Sequence, residues 1–269
     1  MPLTVLDVRW RLNAPSAIDD YRAGHIPGAV FLDLDADHLT GPPGTPGGRH
    51  PLPDPGPLQA TLRAAGVRPD RKVVVYDDGD GLPAARTWWT LRWVGLTDVV
   101  VLDGGFAAWT AAGGPTDTEV PAPQPSDVTV HPGQLPVLDA AGAARTAAGG
   151  VLLDARAPER YRGETEPIDP VAGHIPGAVN LPKTDLTDPD GTMLPPGALR
   201  DLFAAHGVGD DTEAAAYCGS GVTAAYTALA LSVAGLRPVV YIGSWSDWVS
   251  DPDRPVATGP AAGAAEPGR

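Results

Sequence analysis

Short runs of β-branched residues alternate along this chain with longer, largely apolar stretches rich in helix-compatible residues. "KVVVYD" (72–77), "DVVVLDG" (98–104) and "RPVVYIG" (237–243) have the length and composition of buried strands. "AARTWWTLRWVG" (84–95) and "TAAYTALALSVAG" (223–235) read as helices, the second closed by Gly235. Alternation of this kind favours an α/β fold with a mainly parallel sheet flanked by helices. In such sheets ligands sit beyond the carboxyl ends of the strands, in the loops that lead into helices.

The pattern occurs twice. "AGHIPGAV" at 23–30 returns letter for letter at 172–179, and three other pairs keep the same order. They are "LDVR" (6–9) with "LDAR" (153–156), "VVVYDDGDG" (73–81) with "AAAYCGSG" (214–221), and "LDGGFAAW" (102–109) with "YIGSWSDW" (241–248). Between the copies runs "PTDTEVPAPQPSDVTV" (115–130), whose prolines and polar residues suit an extended linker. The expected organisation is a first domain over 1–116, a linker over 117–127, a second domain over 128–259 and a disordered tail over 260–269.

Composition narrows the chemistry. A formal net charge of −14 disfavours nucleic acid and anionic lipid as partners, so an anionic substrate needs a local site to hold it. The longest weakly apolar run, Ala224 to Leu236, is shorter than the ~18–20 residues a membrane span requires. The start, "MPLTVLDVRW", lacks the basic and apolar regions of a secretory signal, and one cysteine cannot form an intrachain disulfide. A reducing compartment, the cytoplasm, is the expected location. Histidine and cysteine are too few and too scattered for a metal centre, and no strand leads into a full phosphate-binding glycine fingerprint, so neither metal nor cofactor is expected.

The one cysteine, Cys218, falls between the strand-like "AAAY" and the helix that begins near Thr223. Gly219 and Gly221 let backbone N–H groups of "GSGVT" turn inward, and the helix N-terminus adds positive potential. Both favour a thiolate, a persulfide or a substrate anion over an inert buried thiol. The repeat is an internal control, because the first copy has Asp77 where the second has Cys218. A carboxylate cannot carry sulfur, so the first copy is silent at that position. By the same logic His25 and His174, present in both "GHIPGA" motifs, are expected to be scaffold hydrogen-bonders. Six tryptophans, Trp88, Trp89, Trp93, Trp109, Trp245 and Trp248, are expected in packing roles.

"CGSGVTA" (218–224), the paired "GHIPGA" motifs, "LDGGFAAW", "GSWSDW" and "RPVATG" together resemble the tandem-domain rhodanese sulfurtransferases, particularly the 3-mercaptopyruvate group. The resemblance implies two rhodanese-like domains and a Cys218 that takes up sulfur as a persulfide and passes it to a nucleophile. It implies that Gly219, Gly221, Val222 and Thr223 form the cradle with Ser220, and that Ser220, His50 and Asp35 make a proton-handling set. Arg162, in "YRGETEP", is the expected partner of the substrate carboxylate. A second arginine common in the family's insertion is absent from "GETEPIDPV" (163–171). Where the family has a helix before its first strand, only five residues precede Leu6.

The partners so implied are a small-molecule sulfur donor and a thiol acceptor, such as thioredoxin or a small thiol, or cyanide. Thiosulfate is the alternative donor, although its users typically have basic residues where Gly219 and Ser220 stand. A phosphatase on the same fold would need arginine at Ala224. A sulfur-relay module without turnover is the remaining reading.

Overall fold

The computed structural model describes residues 3–42, 44 and 47–260, so the expected tail lies outside the described residues from 261 onward. These divide into two compact units. The first takes residues 3–42, 52–135 and 189–192, and the second takes 44, 47–51, 136–188 and 193–260.

In the first unit β1 (Leu3–Asp7), α1 (Ile18–Ala23), β2 (Val30–Phe31), α2 (Pro55–Ala64), β3 (Lys72–Tyr76), α3 (Leu82–Trp93), β4 (Val99–Val101) and α4 (Gly105–Ala111) follow one another along the chain. The strands form a parallel sheet in the order β2-β1-β3-β4. The second unit contains β5 (Val137–Leu138), α5 (Ala140–Gly149), β6 (Val151–Asp154), α6 (Pro158–Tyr161), β7 (Val179–Asn180), α7 (Pro196–Ala205), β8 (Ala214–Tyr217), α8 (Val222–Val233), β9 (Val240–Tyr241) and α9 (Ser244–Trp248). Its parallel sheet runs β5-β9-β8-β6-β7. Read from the other edge, β7-β6-β8-β9 repeats β2-β1-β3-β4, so the duplication in sequence extends to topology. Among the described residues the first unit has no counterpart of β5 and α5.

The same buried device closes the strand ends in both units. Asp7 on β1 pairs with Tyr76 in register, accepts its hydroxyl at 2.6 Å and is chelated by the Arg9 guanidinium. Asp154 and Arg156 repeat this arrangement beside Tyr217. Each arginine also donates to the turn before its "HIPGA" motif, Arg9 to the Gly24 carbonyl and Arg156 to the Gly173 carbonyl. These ions are almost fully buried, and such burial is tolerated only because every charge is paired and hydrogen-bonded.

β8 is buried along its whole length, and its three alanines leave room for α8, whose Ala224, Ala225 and Ala228 are fully buried. Trp245 and Trp248 complete a core with Tyr161, Ile175 and Tyr217. Five of the six tryptophans singled out from sequence are buried, and Trp109 is half-buried.

The break between units falls after Leu135, later than the expected end of the linker at 127. The proline-rich stretch is extended but attached to the first unit. Ser126 N–H donates to the Arg63 carbonyl, Val130 N–H to the Gln59 side chain and His131 N–H to the Val94 carbonyl, while Val128 is buried. Prolines removed the helix option and left the remaining N–H groups to find partners on α2 and the end of α3.

His25 and His174 are fully buried, with Nδ1 at 2.9 Å from the Tyr21 carbonyl and 2.7 Å from the Tyr161 carbonyl. Each ring stacks on that tyrosine, and each backbone bridges a later strand-like segment, His25 to Asp117 and His174 to Ala257. Substitution of His174 by Ala should therefore lower unfolding free energy by about 1–3 kcal/mol in denaturant titration. Loading of sulfur on Cys218 should persist in the folded fraction, and its loss there would move His174 into the chemistry.

Candidate active site in the loop after β8

Cys218 is the first residue beyond β8, and the chain turns through Gly219, Ser220 and Gly221 into α8. Gly221 caps that helix in a left-handed conformation, φ 82°, which a residue with a Cβ reaches only with strain. This turn aims the Gly221 N–H at Cys218 Sγ, 3.1 Å away. The thiol is 2% exposed. Its loop is held from behind by the start of α9, where Trp245 N–H donates to the Cys218 carbonyl and Ser246 N–H to the Gly219 carbonyl.

Ser244, at the N-terminal end of α9, has a left-handed backbone, φ 54°. Its hydroxyl accepts the Cys218 N–H at 3.1 Å, donates to the Tyr241 carbonyl and lies 4.0 Å from Sγ. The first copy has Gly105 at the matching position with φ 56°. The same backbone shape is thus kept in both units. Only the cysteine-bearing one accepts the ~1–2 kcal/mol cost of a side chain there, and the serine hydroxyl satisfies the Cys218 amide in return.

Of the residues expected from sequence, Ser220 and His50 are brought together, with Oγ 2.8 Å from Nδ1 and both side chains buried. His50 does this because residues 47–51, although they precede most of the first unit in sequence, pack in the second unit. Gly48 makes that docking possible. Its φ is +93°, and a Cβ on it would stand 2.4 Å from the Gly243 carbonyl oxygen. The next residue, Arg49, donates its N–H to Ser246 Oγ at 3.0 Å. Val222 is buried and Thr223 half-buried at the first turn of α8. Asp35 lies in the first unit, exposed, where its carboxylate accepts the Trp10 indole N–H at 2.7 Å.

Arg162 is not brought to the loop. Its guanidinium is held at the surface by Glu164 at 2.7 and 2.9 Å, because it follows the short α6 and points out of the packed face. The guanidiniums at the loop are those of Arg160 and Arg49. A methyl carbon on Gly219 would lie 3.6 Å from Arg160 Nη2, 3.7 Å from its Nη1 and 3.5 Å from Arg49 Nη2. Glu166 grips Arg160 at 2.6 and 3.1 Å, and Asp169 grips Arg49 at 2.7 Å. Burial works against the Glu166 carboxylate, but hydrogen bonds from Arg160 and from the Asp169 and Ile168 amides hold it below the usual carboxylate range. The repeat contained the signal for Arg160. "YR" at 21–22 matches "YR" at 161–162, so Arg162 has a counterpart, Arg22, in the first copy, whereas Arg160 aligns with Asp20. Arg49 and Ser244 had no comparable flag.

Asp77 occupies the cysteine position of the first unit. Its Oδ1 accepts N–H from Gly79 and Gly81 at 2.8 and 3.2 Å, and Oδ2 accepts from Ala84 at 3.1 Å. A built-in anion fills the cradle that the second unit leaves around sulfur. Among the described residues no group of His, Cys, Asp and Glu is placed to hold a metal ion, and no helix is long and apolar enough to cross a membrane.

Two units that each carry a parallel sheet, the second with a thiol held in a strand-to-helix cradle, define a thiol-bearing α/β protein. Residues 2–112 and 139–251 each match the Rhodanese-like domain, and the chain belongs to that family. A protein of Pseudomonas aeruginosa, named provisionally as a 3-mercaptopyruvate sulfurtransferase, is 50% identical over 96% of this chain and 93% of its own. SseB of Mycobacterium tuberculosis, named provisionally as a thiosulfate sulfurtransferase, is 48% identical over 97% of this chain and 92% of its own. The crystal structure of SseA from Escherichia coli, a 3-mercaptopyruvate sulfurtransferase, matches with a TM-score of 0.77 and 31% identity over 91% of this chain and 93% of that one. The wild-type structure of EanB matches with a TM-score of 0.81 at 25% identity; this chain spans 64% of its length, less than two thirds.

Burial raises the Asp77 carboxyl to about 6, with the charge of Asp80 adding to the effect, although three N–H donors oppose it. A carboxyl raised in the folded state adds stability below its ordinary value of 3.8, and that contribution is lost as pH rises through about 6. The unfolding free energy of the wild type relative to Asp77→Asn should therefore fall across this window in urea titrations. A difference independent of pH would remove Asp77 from the account.

Proposed function

We propose that this sulfurtransferase takes sulfur from 3-mercaptopyruvate, carries it as a persulfide on Cys218 and delivers it to a thiol or to cyanide. The observation that carries the reading is the Ser220–His50 hydrogen bond beside a neutral Gly219–Ser220 loop. Mercaptopyruvate must lose a thiol proton as its sulfur leaves, so it needs a proton path; thiosulfate does not.

In the first half-reaction the Cys218 thiolate attacks the donor sulfur. The carbon–sulfur bond breaks and its electron pair remains on carbon as an enolate. The proton leaves the donor sulfur through Ser220 and His50 and reaches that carbon, giving pyruvate and the persulfide. The Gly221 N–H and the start of α8 stabilise the negative sulfur. In the second half-reaction an acceptor thiolate attacks the outer sulfur, the sulfur–sulfur bond breaks and Cys218 leaves as thiolate. A dithiol protein such as thioredoxin suits that step. A thiol that must return to its reduced form each cycle suits the cytoplasm.

Arg160 takes the donor carboxylate in place of Arg162. Thiosulfate is the second reading, and two guanidiniums near the loop speak for an anion of either kind. With Glu166 and Asp169 their cluster is neutral, two charges of each sign, so one added carboxylate is accommodated more readily than a dianion.

Incubation with 3-mercaptopyruvate should raise the intact mass by one sulfur atom, and Cys218→Ser should abolish both the adduct and transfer. His50→Ala should slow persulfide formation about 10²-fold with the fold intact, the usual scale of general acid–base catalysis. Steady-state comparison of the two donors decides between the readings: a higher kcat/KM for thiosulfate in the wild type overturns the first.

A further inference from the structure

We infer that Arg49 is a donor-anchoring residue, which together with Arg160 grips the anionic group of the sulfur donor above Gly219. The inference deepens the donor reading above and rests on it for the identity of the anion.

The two guanidiniums reach one point from opposite directions of the chain. Arg160 follows from α6, whereas Arg49 arrives on the segment 47–51. Arg49 Nη2 and Arg160 Nη1 and Nη2 stand 3.5, 3.7 and 3.6 Å from where a Cβ on Gly219 would be. That spacing is ordinary van der Waals contact, so an atom fits there without displacing either arginine. Glycine at 219 leaves the space open. Asp169 reaches both guanidiniums, Arg49 at 2.7 Å and Arg160 at 3.4 Å, and Glu166 holds Arg160 at 2.6 Å, so the pair is charge-balanced in the fold, and a donor anion above Gly219 would add further charge-assisted bonds to it.

Of the donors near that point, the two Nη2 atoms are engaged by carboxylates and Arg160 Nη1 is the one left over. Asp169 takes Arg49 Nη1 at 2.7 Å and reaches Nη2 only at 3.4 Å. Arg49 Nε is buried with no hydrogen-bond partner among the described residues. Glu166 takes Arg160 through Nε and Nη2, so Nη1 makes no hydrogen bond to a described residue. Arg160 Nη2 is taken by Glu166 and, at 3.4 Å, by Asp169, which leaves Arg160 Nη1 and the weakly held Arg49 Nη2 for a ligand. The insertion 163–171 supplies both carboxylates but no arginine, and the second guanidinium comes from beside His50. One short segment thus delivers the anion anchor and the proton-handling histidine together. Its path is set by Gly48 against Gly243 and by the Arg49 N–H on Ser246 Oγ.

The test uses the full chain and two readouts, steady-state kinetics and direct binding of pyruvate by calorimetry. Pyruvate carries the carboxylate but no sulfur. Arg49→Gln should raise the KM for 3-mercaptopyruvate and the Kd for pyruvate about tenfold, or ~1.4 kcal/mol, with kcat within about twofold. Arg49→Lys should recover part of the loss, because a point charge replaces the fork. The pair Arg49→Gln with Asp169→Asn removes both charges and should show the same loss, which separates anchoring from the damage of an unpaired buried carboxylate. Gly219→Ala fills the space itself and should weaken pyruvate binding without altering the melting temperature. Unchanged KM and Kd in Arg49→Gln would overturn the assignment. If the wild type forms its persulfide from thiosulfate and not from 3-mercaptopyruvate, the donor reading fails separately. The KM for thiosulfate in Arg49→Gln then decides the role of Arg49, a rise supporting it and no change rejecting it.

Discussion

The buried Asp154–Arg156 pair is the anchor from which the second unit builds its site. Arg156 is pinned by Asp154 at the end of β6, lies over the Trp245 ring at 4.5 Å and reaches Glu166 at 3.4 Å. Glu166 holds Arg160, Arg160 reaches Asp169, and Asp169 holds Arg49. Charges alternate along this line from the sheet core to the loop of Cys218. Removing one partner of so deeply buried a pair costs about 3–5 kcal/mol, because a charge is left unpaired. The line is therefore rigid where it begins, and its last two arginines inherit that order at the loop, where rigidity aids recognition of an anion.

The two units show one cradle with two occupants. In each, a strand ends in a loop capped by a left-handed glycine, Gly81 or Gly221, and the glycine N–H points at the first side chain of the loop. Asp77 brings its own oxygens and satisfies the donors permanently. Cys218 presents one large, polarisable sulfur to the same backbone donor, the Gly221 N–H. The difference between the two units at this position is thus a change of side chain inside a shared backbone. Ser244 in place of Gly105 adds a hydroxyl on the same left-handed turn.

Sequence and spatial boundaries part company at residues 47–51. In sequence these belong to the first copy, yet they pack in the second unit and carry Arg49 and His50 to its loop. The first copy has Asp77 at its own cysteine position, and this segment is what its sequence contributes to the second unit. The proline-rich stretch near 126–134 behaves in the opposite way, remaining hydrogen-bonded to the first unit beyond the point where composition suggested a free connection.

Local pattern was enough for the parallel α/β class, the duplication, the strand-to-helix position of Cys218 and the match of Asp77 to it, because periodicity and repeat register are properties of neighbouring residues. The pairing of Ser220 with His50 was implied by resemblance, but its physical basis, a glycine close enough to Gly243 to bring the segment in, exists only in three dimensions. Arg162 and Arg160 differ by two positions in sequence and look equally suited to a carboxylate. α6 ends between them, so one side chain joins the line of charges and the other turns to Glu164 at the surface. Composition and spacing decided that there would be a thiol in an anion cradle. Which arginines face it was decided by packing, since a side chain's partners depend on where distant stretches of chain cross and not on the residues beside it.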